Sequence, residues 1–321
     1  MIGRVIGVLR SPWTRWAFVL VAVGAAALAV HREWDDIVAA LSDMPPGLVV
    51  AAFLAGLVYL PVTMLSWRAV LADLGSTLPL RQALGVFFVS QLGKYVPGGV
   101  WNAVAASELG ADQRIPRRRS LSAMLVTVFV SLVTGLVVGV PGLALTSGGL
   151  SASYRWLWLV LPIALALLVP AVMNRLLAVG MRLLRREPLE HPLTTRGTIA
   201  ASGWSILGWL VAGVQVWFIA VAAGSEVGAE AWLRVTGAYA IAWVIGFLII
   251  VVPAGLGARE VVLATLLGGV VPDTAAVLVI VLVSRIVQTL CDLLMAGTGM
   301  LLLRRTGQEG PVPEGPTSEV S

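Results

Sequence analysis

Six apolar runs set the solvent in which this chain folds: Trp16–Val30, Leu48–Ala72, Leu121–Thr146, Leu157–Val172, Ile199–Ala223 and Thr274–Leu303. A bilayer core ~30 Å thick takes ~20 apolar residues to cross as a helix, and several of these runs meet that length. Of the 321 residues, 58% are hydrophobic and only 12% charged, whereas a soluble domain carries about 25% charged residues. The mean hydropathy is +0.92. The chain is therefore expected to be an all-α polytopic membrane protein, a single transmembrane domain over residues 1–305. The Pro/Gly/Glu-rich stretch 306–321 reads as a disordered cytoplasmic tail.

Basic residues between the runs give the orientation, because cytoplasmic loops concentrate Lys and Arg. Arg4, Arg10 and Arg15 place the N-terminus inside, and Arg304 and Arg305 do the same for the C-terminus. Arg68, Arg81, the four arginines of 114–119, and the group Arg175, Arg182, Arg185, Arg186 and Arg196 also fall inside. The acidic loops with Asp35 and Asp36, with Glu226 and Glu230, and with Asp273 fall outside. On this topology 16 basic residues are cytoplasmic, 3 are external and 3 (Lys94, Arg259 and Arg285) lie within the membrane. Ala27-Leu28-Ala29 resembles a cleavage site, so the first 30 residues read as a span or a signal peptide.

Two further apolar regions are interrupted. Leu84–Leu109 breaks at Pro97-Gly98-Gly99, and Leu233–Gly269 breaks at Pro253-Ala254-Gly255. The legs of the first are too short to cross separately at ~1.5 Å per residue, and both of its ends are cytoplasmic. It is expected to be a re-entrant hairpin. The second would enter and leave from outside, although its first leg is long enough to span alone. At an offset of 156, Pro97 aligns with Pro253, Gly99 with Gly255 and Pro116 with Pro272. The expectation is six spanning helices plus two opposed re-entrant hairpins in an inverted repeat, 48–146 and 199–303. Broken segments in corresponding halves point to a transport site near the midplane.

The breakpoints also carry a resemblance. Gln91-Leu92-Gly93-Lys94-Tyr95-Val96-Pro97-Gly98-Gly99-Val100-Trp101 and Pro253-Ala254-Gly255-Leu256-Gly257-Ala258-Arg259-Glu260 resemble the signature stretches of the lysylphosphatidylglycerol synthase transmembrane-region family. This flippase-like domain also occurs in a stand-alone form. The resemblance runs from about Trp16 to Arg305 and implies lipid translocation in the cytoplasmic membrane. Its substrate would be an anionic phospholipid or a polyprenyl-phosphate-linked lipid. The alternative it implies is a non-catalytic membrane partner of lipid-linked glycan enzymes. The sequence carries no soluble aminoacyl-transferase domain after the last run, so synthesis of lysyl-lipid is not expected.

A charge at the bilayer centre costs ~2.5–3.5 kcal/mol on insertion scales, so each buried one calls for a partner or a role. Lys94 precedes the first break, and the helix after it turns its positive end toward the apex. Lys94 with Pro97, Gly98 and Gly99 thus suits a phosphate, unless Lys94 pairs with Glu108 or caps its own hairpin. Tyr95, Trp101 and Asn102 flank the apex as headgroup contacts or as packing. Gly255, Gly257, Arg259 and Glu260 form the corresponding group in the second break, with Arg285 expected to pair with Glu260. Arg285, Gln288, Thr289 and Asp292 recur at three- and four-residue spacing and make one polar stripe on the last run. Asp292 reads as a partner of Arg285 or of the backbone, or as a proton-coupling residue.

Other chemistries are poorly supplied. The net charge of +5 resides in topology-setting loops, so no nucleic-acid partner is expected. Cys291 is the one cysteine, and the two histidines, His31 and His191, lie in loops. No metal, cofactor or enzymatic role is expected. Topology is open to a direct check on a Cys291→Ser background. A cysteine replacing Glu226 should react with an impermeant thiol reagent on intact cells, and one replacing Arg186 should not. Reaction at both positions, or at neither, would overturn the orientation.

Overall fold

Helix is the only regular backbone among the described residues of the computed structural model, which are 38, 42–95, 101–144, 157–183, 191–249, 257–268, 271 and 273–308. The expected first span, Trp16–Val30, lies outside them, as do both Pro/Gly breakpoints. Helix α1 is Pro46–Asp73, with proline at its first position, where a missing N–H costs nothing. Helix α2 (Leu80–Ser90) passes into a 3-10 turn over Gln91–Tyr95, and α3 is Trp101–Asp112. Then come α4 (Arg117–Ala144), α5 (Val160–Leu167) and α6 (Pro170–Leu183). The remainder is α7 (Thr195–Ala222), α8 (Ala229–Leu248), α9 (Ala258–Leu267) and α10 (Thr274–Gln308).

Five of these helices, α1, α4, α7, α8 and α10, are long and apolar enough to cross a membrane. At ~1.5 Å per residue the 28 residues of α1 reach ~42 Å. Four of the five coincide with uninterrupted runs. The fifth, α8, is the long first leg of the second interrupted region. The run Leu157–Val172 is not one straight helix, since it bends by 84° between Leu167 and Pro170. Proline lacks the N–H that would continue the ladder, and it drives the preceding residue out of helical geometry. Helix α6 then leaves the bend and is tied down by Asn174, whose side chain exchanges two 2.9 Å hydrogen bonds with the backbone of Leu193. Helix α10 runs on to Gln308, past the expected start of the tail at 306.

The long helices pair in a regular way. Helix α1 lies along α7, α2 packs on α10, and α8 packs on α4. In each interrupted region the two legs touch. Gly93 abuts the backbone of Trp101 and Asn102, and a Cβ on Gly246 would sit 2.8 Å from the Cβ of Arg259. The packing forms two cores. One gathers around Trp67, Phe87, Met124 and Met173, the other around Ile219, Leu267 and Ile280.

Small residues let the helices approach closely, as is general where lipid removes the hydrophobic drive between them. A Cβ on Gly237 of α8 would lie 2.9 Å from the backbone of Gly142 and Leu143 in α4. At Gly297 in α10, by contrast, nothing lies within 4 Å. Gly237→Leu should therefore destabilise the fold by about 1–3 kcal/mol through overpacking, read as a lower melting temperature in detergent. Gly297→Leu should leave it unchanged. Equal behaviour of the two variants would refute the close contact.

Candidate functional site

The polar stripe of α10 meets the 3-10 turn that follows α2. Asp292 is fully buried at 0% exposure, and its Oδ2 receives Lys94 Nζ at 2.6 Å and the Tyr95 hydroxyl at 2.6 Å. One turn earlier, Gln288 Nε2 donates to Asp292 Oδ1 at 3.4 Å. A buried charge is tolerable only when paired and hydrogen-bonded, and this carboxylate has both kinds of support. Thr289, the remaining member of the stripe, returns its hydroxyl to the carbonyl of Arg285 at 2.9 Å.

The start of α9 supplies the second group. Gly257 adopts φ 84°, a left-handed conformation that suits glycine. Its N–H donates to Glu260 Oε2 at 2.7 Å, which places an acidic residue over the helix N-terminus. The other oxygen of Glu260 faces Arg285 Nε at 3.5 Å. Arg259 lies over the ring of Tyr239 with its guanidinium carbon 4.6 Å from the centroid, a cation–π contact that stabilises a desolvated cation.

Lys94, Arg259 and Arg285 all open onto one cavity of about 300 Å³. Among the described residues no Asp or Glu lines it: Glu260 and Asp292 hold the cations from behind. Among the described residues the wall carries three cations, and Asp292 and Glu260 pair with two of them. The rest of the lining comes from α1, α4, α7 and α8 and includes Tyr59, Ser131, Ser205, Trp209 and Trp243. Trp209 and Trp243 meet edge to face at 5.2 Å, and Trp209 Nε1 donates to the Ser131 carbonyl at 3.2 Å. Leu125 also lines the cavity while 47% exposed, so the space reaches the outer surface of the bundle beside α4.

Of the residues singled out from sequence, Lys94, Tyr95, Asn102, Arg259, Arg285 and Gln288 are on the wall. Glu260, Asp292 and Gly257 support them from the second rank. Trp101 does not line the cavity and is 46% exposed. Pro97, Gly98, Gly99 and Gly255 lie outside the described residues. The expected pair between Glu260 and Arg285 forms, but Asp292 pairs with Lys94 rather than Arg285. Glu108 does not take Lys94 either. It holds Arg117 through two nitrogens at 2.9–3.0 Å, because the short loop after α3 brings the start of α4 back beside it. The wall residues Tyr59, Ser131, Ser205, Trp209 and Trp243, and Tyr239 behind Arg259, carry no sequence signal of their own. Each is one hydroxyl or ring on a long apolar helix, and only the packing aims it inward.

Over 135 residues the chain is 27% identical to the glycosyltransferase AglD of Haloferax volcanii, a match covering 42% of this chain and 21% of that protein. The chain thus spans about a fifth of that relative's length. The family model for the lysylphosphatidylglycerol synthase transmembrane region matches residues 15–296, nearly the whole chain. With its multiple apolar helices and this match, the protein is a multi-pass membrane protein of a lipid-related family, and it belongs to the lysylphosphatidylglycerol synthase transmembrane-region family.

Proposed function

We propose that this protein translocates an anionic lipid across the cytoplasmic membrane, with its N- and C-termini on the cytoplasmic side, and is not an enzyme. The observation that carries the reading is the cavity wall itself. Three cations converge there from two separate interrupted segments and the last helix, and their carboxylate partners stand behind them. Keeping charge inside a bilayer is costly, so intramembrane ionisable residues that share a cavity mark a pathway. The phosphate would be held by Lys94, Arg259 and Arg285 while the acyl or prenyl chains stay in lipid. The opening beside Leu125 gives those chains a way out.

The cation wall is neutralised in part by the protein's own anion. Asp292 occupies Lys94 until a phosphate replaces it, which keeps a lone cation from being buried. Alternating access would follow from an inverted repeat, α1–α4 against α7–α10. The matched pairings of α1 with α7, α2 with α10 and α8 with α4 support that relation. The sequence holds no nucleotide-binding motif, so movement would be downhill or ion-coupled. A second reading, a non-catalytic partner of a lipid-linked glycan enzyme, draws support from the similarity to part of a glycosyltransferase.

Reconstituted in vesicles with a fluorescent anionic lipid, the protein should move label between leaflets. Joint replacement of Lys94, Arg259 and Arg285 by Gln should abolish that movement. Unchanged transport in this triple variant would sink the transport reading and favour the partner role. Asp292→Asn, which keeps a hydrogen-bonding group but frees Lys94, should tighten retention of anionic lipid by about ten-fold while slowing transport. Weaker retention by a variant of normal melting temperature would mean that Asp292 shapes the site rather than competing for it.

A further inference from the structure

We infer that the ion coupled to lipid movement is a proton, taken up by Asp292 when a lipid phosphate draws Lys94 away from it. The inference rests on the transport reading and names its coupling. The side chain of Asp292 is 0% exposed, whereas that of Lys94, its cation, is 29% exposed and stands on the cavity wall. A phosphate can therefore approach Lys94 from the cavity while Asp292 stays out of reach of water. A buried carboxylate that loses its cation is costly, and it escapes that cost by binding a proton. The phosphodiester anion and one proton then enter together as one neutral load.

An acceptor for that proton is already in place. Gln288 lies one turn before Asp292 and is buried, and its Oε1 has no hydrogen-bond partner among the described residues. The Nε2 of the same amide reaches Asp292 Oδ1 at 3.4 Å, a long contact. An ionised carboxylate can use the amide only through Nε2, which leaves Oε1 idle. A protonated Oδ1 donates instead to Oε1 after a half-turn of the amide. The Tyr95 hydroxyl meanwhile keeps its 2.6 Å bond to Oδ2. Gln288 thus serves both protonation states, and the idle acceptor has a use.

The other charged and titratable groups around Asp292 do not take up this proton. The turn after α2 brings Lys94 and Tyr95, α1 brings Tyr59, and Cys291 is the adjoining residue. Phenols and a thiol carry their protons at neutral pH, and an ammonium is already charged. Helix α7 supplies Gln215, an uncharged amide, beside Cys291. Farther along the cavity stand Arg259, over Tyr239, and Arg285, and guanidiniums stay charged. Glu260 keeps the N–H of Gly257, and its side chain is 24% exposed, so water can reach it. Asp292 has no such access.

Short-chain phosphatidylglycerol and a solubilised polyprenyl-phosphate hexose are suitable probes, because a phosphodiester has no second proton to lose near neutrality. The full-length purified protein, titrated with each in weakly buffered solution, should take up about one proton per lipid bound, read with a pH indicator. Affinity should fall by about three- to ten-fold per unit as the pH rises, since the proton that binds with the lipid becomes scarcer. In Asp292→Asn, which mimics the protonated carboxyl, lipid should bind with no proton uptake and a flat pH profile. Gln288→Met, which removes the acceptor, should move the profile to lower pH, and an unchanged profile would overturn its role. Binding without proton uptake in the wild-type protein, or uptake that persists in Asp292→Asn, would overturn the inference and leave anionic-lipid recognition standing. Absence of binding of both probes to the wild-type protein would remove the transport reading beneath it.

Discussion

Hydrocarbon offers no hydrogen bonds, so each polar group carried into a bilayer must find its partner within the protein or face several kcal/mol of desolvation. The buried carboxylate of Asp292 is where this constraint bears hardest. It sits on the last helix, and the groups that satisfy it, Lys94 and Tyr95, arrive from the first interrupted segment, almost 200 residues earlier in the chain. The bond therefore stitches distant parts of the bundle together. Close helix contacts then complete the assembly where lipid gives no hydrophobic drive, as between Gly237 and Gly142.

The site follows from the same economy. Helix α9 begins with a left-handed glycine and an acidic residue folded back on its own N-terminus, so Glu260 is spent locally and on Arg285. Arg259, next to it, rests on an aromatic face. Both arrangements keep a cation stable in a low-dielectric setting. A wall of cations backed by carboxylates is tolerable at low dielectric and, under the proposed function, attractive to one added anion. Uniform positive charge, with nothing behind it, would be neither.

Much of the fold was legible from hydropathy alone. The long apolar helices and the pairing of Glu260 with Arg285 were both expected from the sequence. The run Leu157–Val172 carries a bend that hydropathy does not register, because hydropathy averages over a segment while Pro170 acts at one bond. Sequence spacing likewise directed Asp292 to Arg285 on its own helix. The three-dimensional arrangement favoured Lys94, since a shorter bond to a residue on another segment was within reach.

The sequence by itself determined the solvent, the helical class and the identity of the buried charges, because each depends only on what a residue costs in hydrocarbon. Tertiary structure alone decided which carboxylate neutralises which cation and which cations line the cavity. It also decided that Ser131, Ser205, Trp209 and Trp243 form a wall. Those outcomes depend on rotation and contact between helices far apart in the chain, and an apolar run of ~20 residues leaves its rotation undefined until its neighbours are in place.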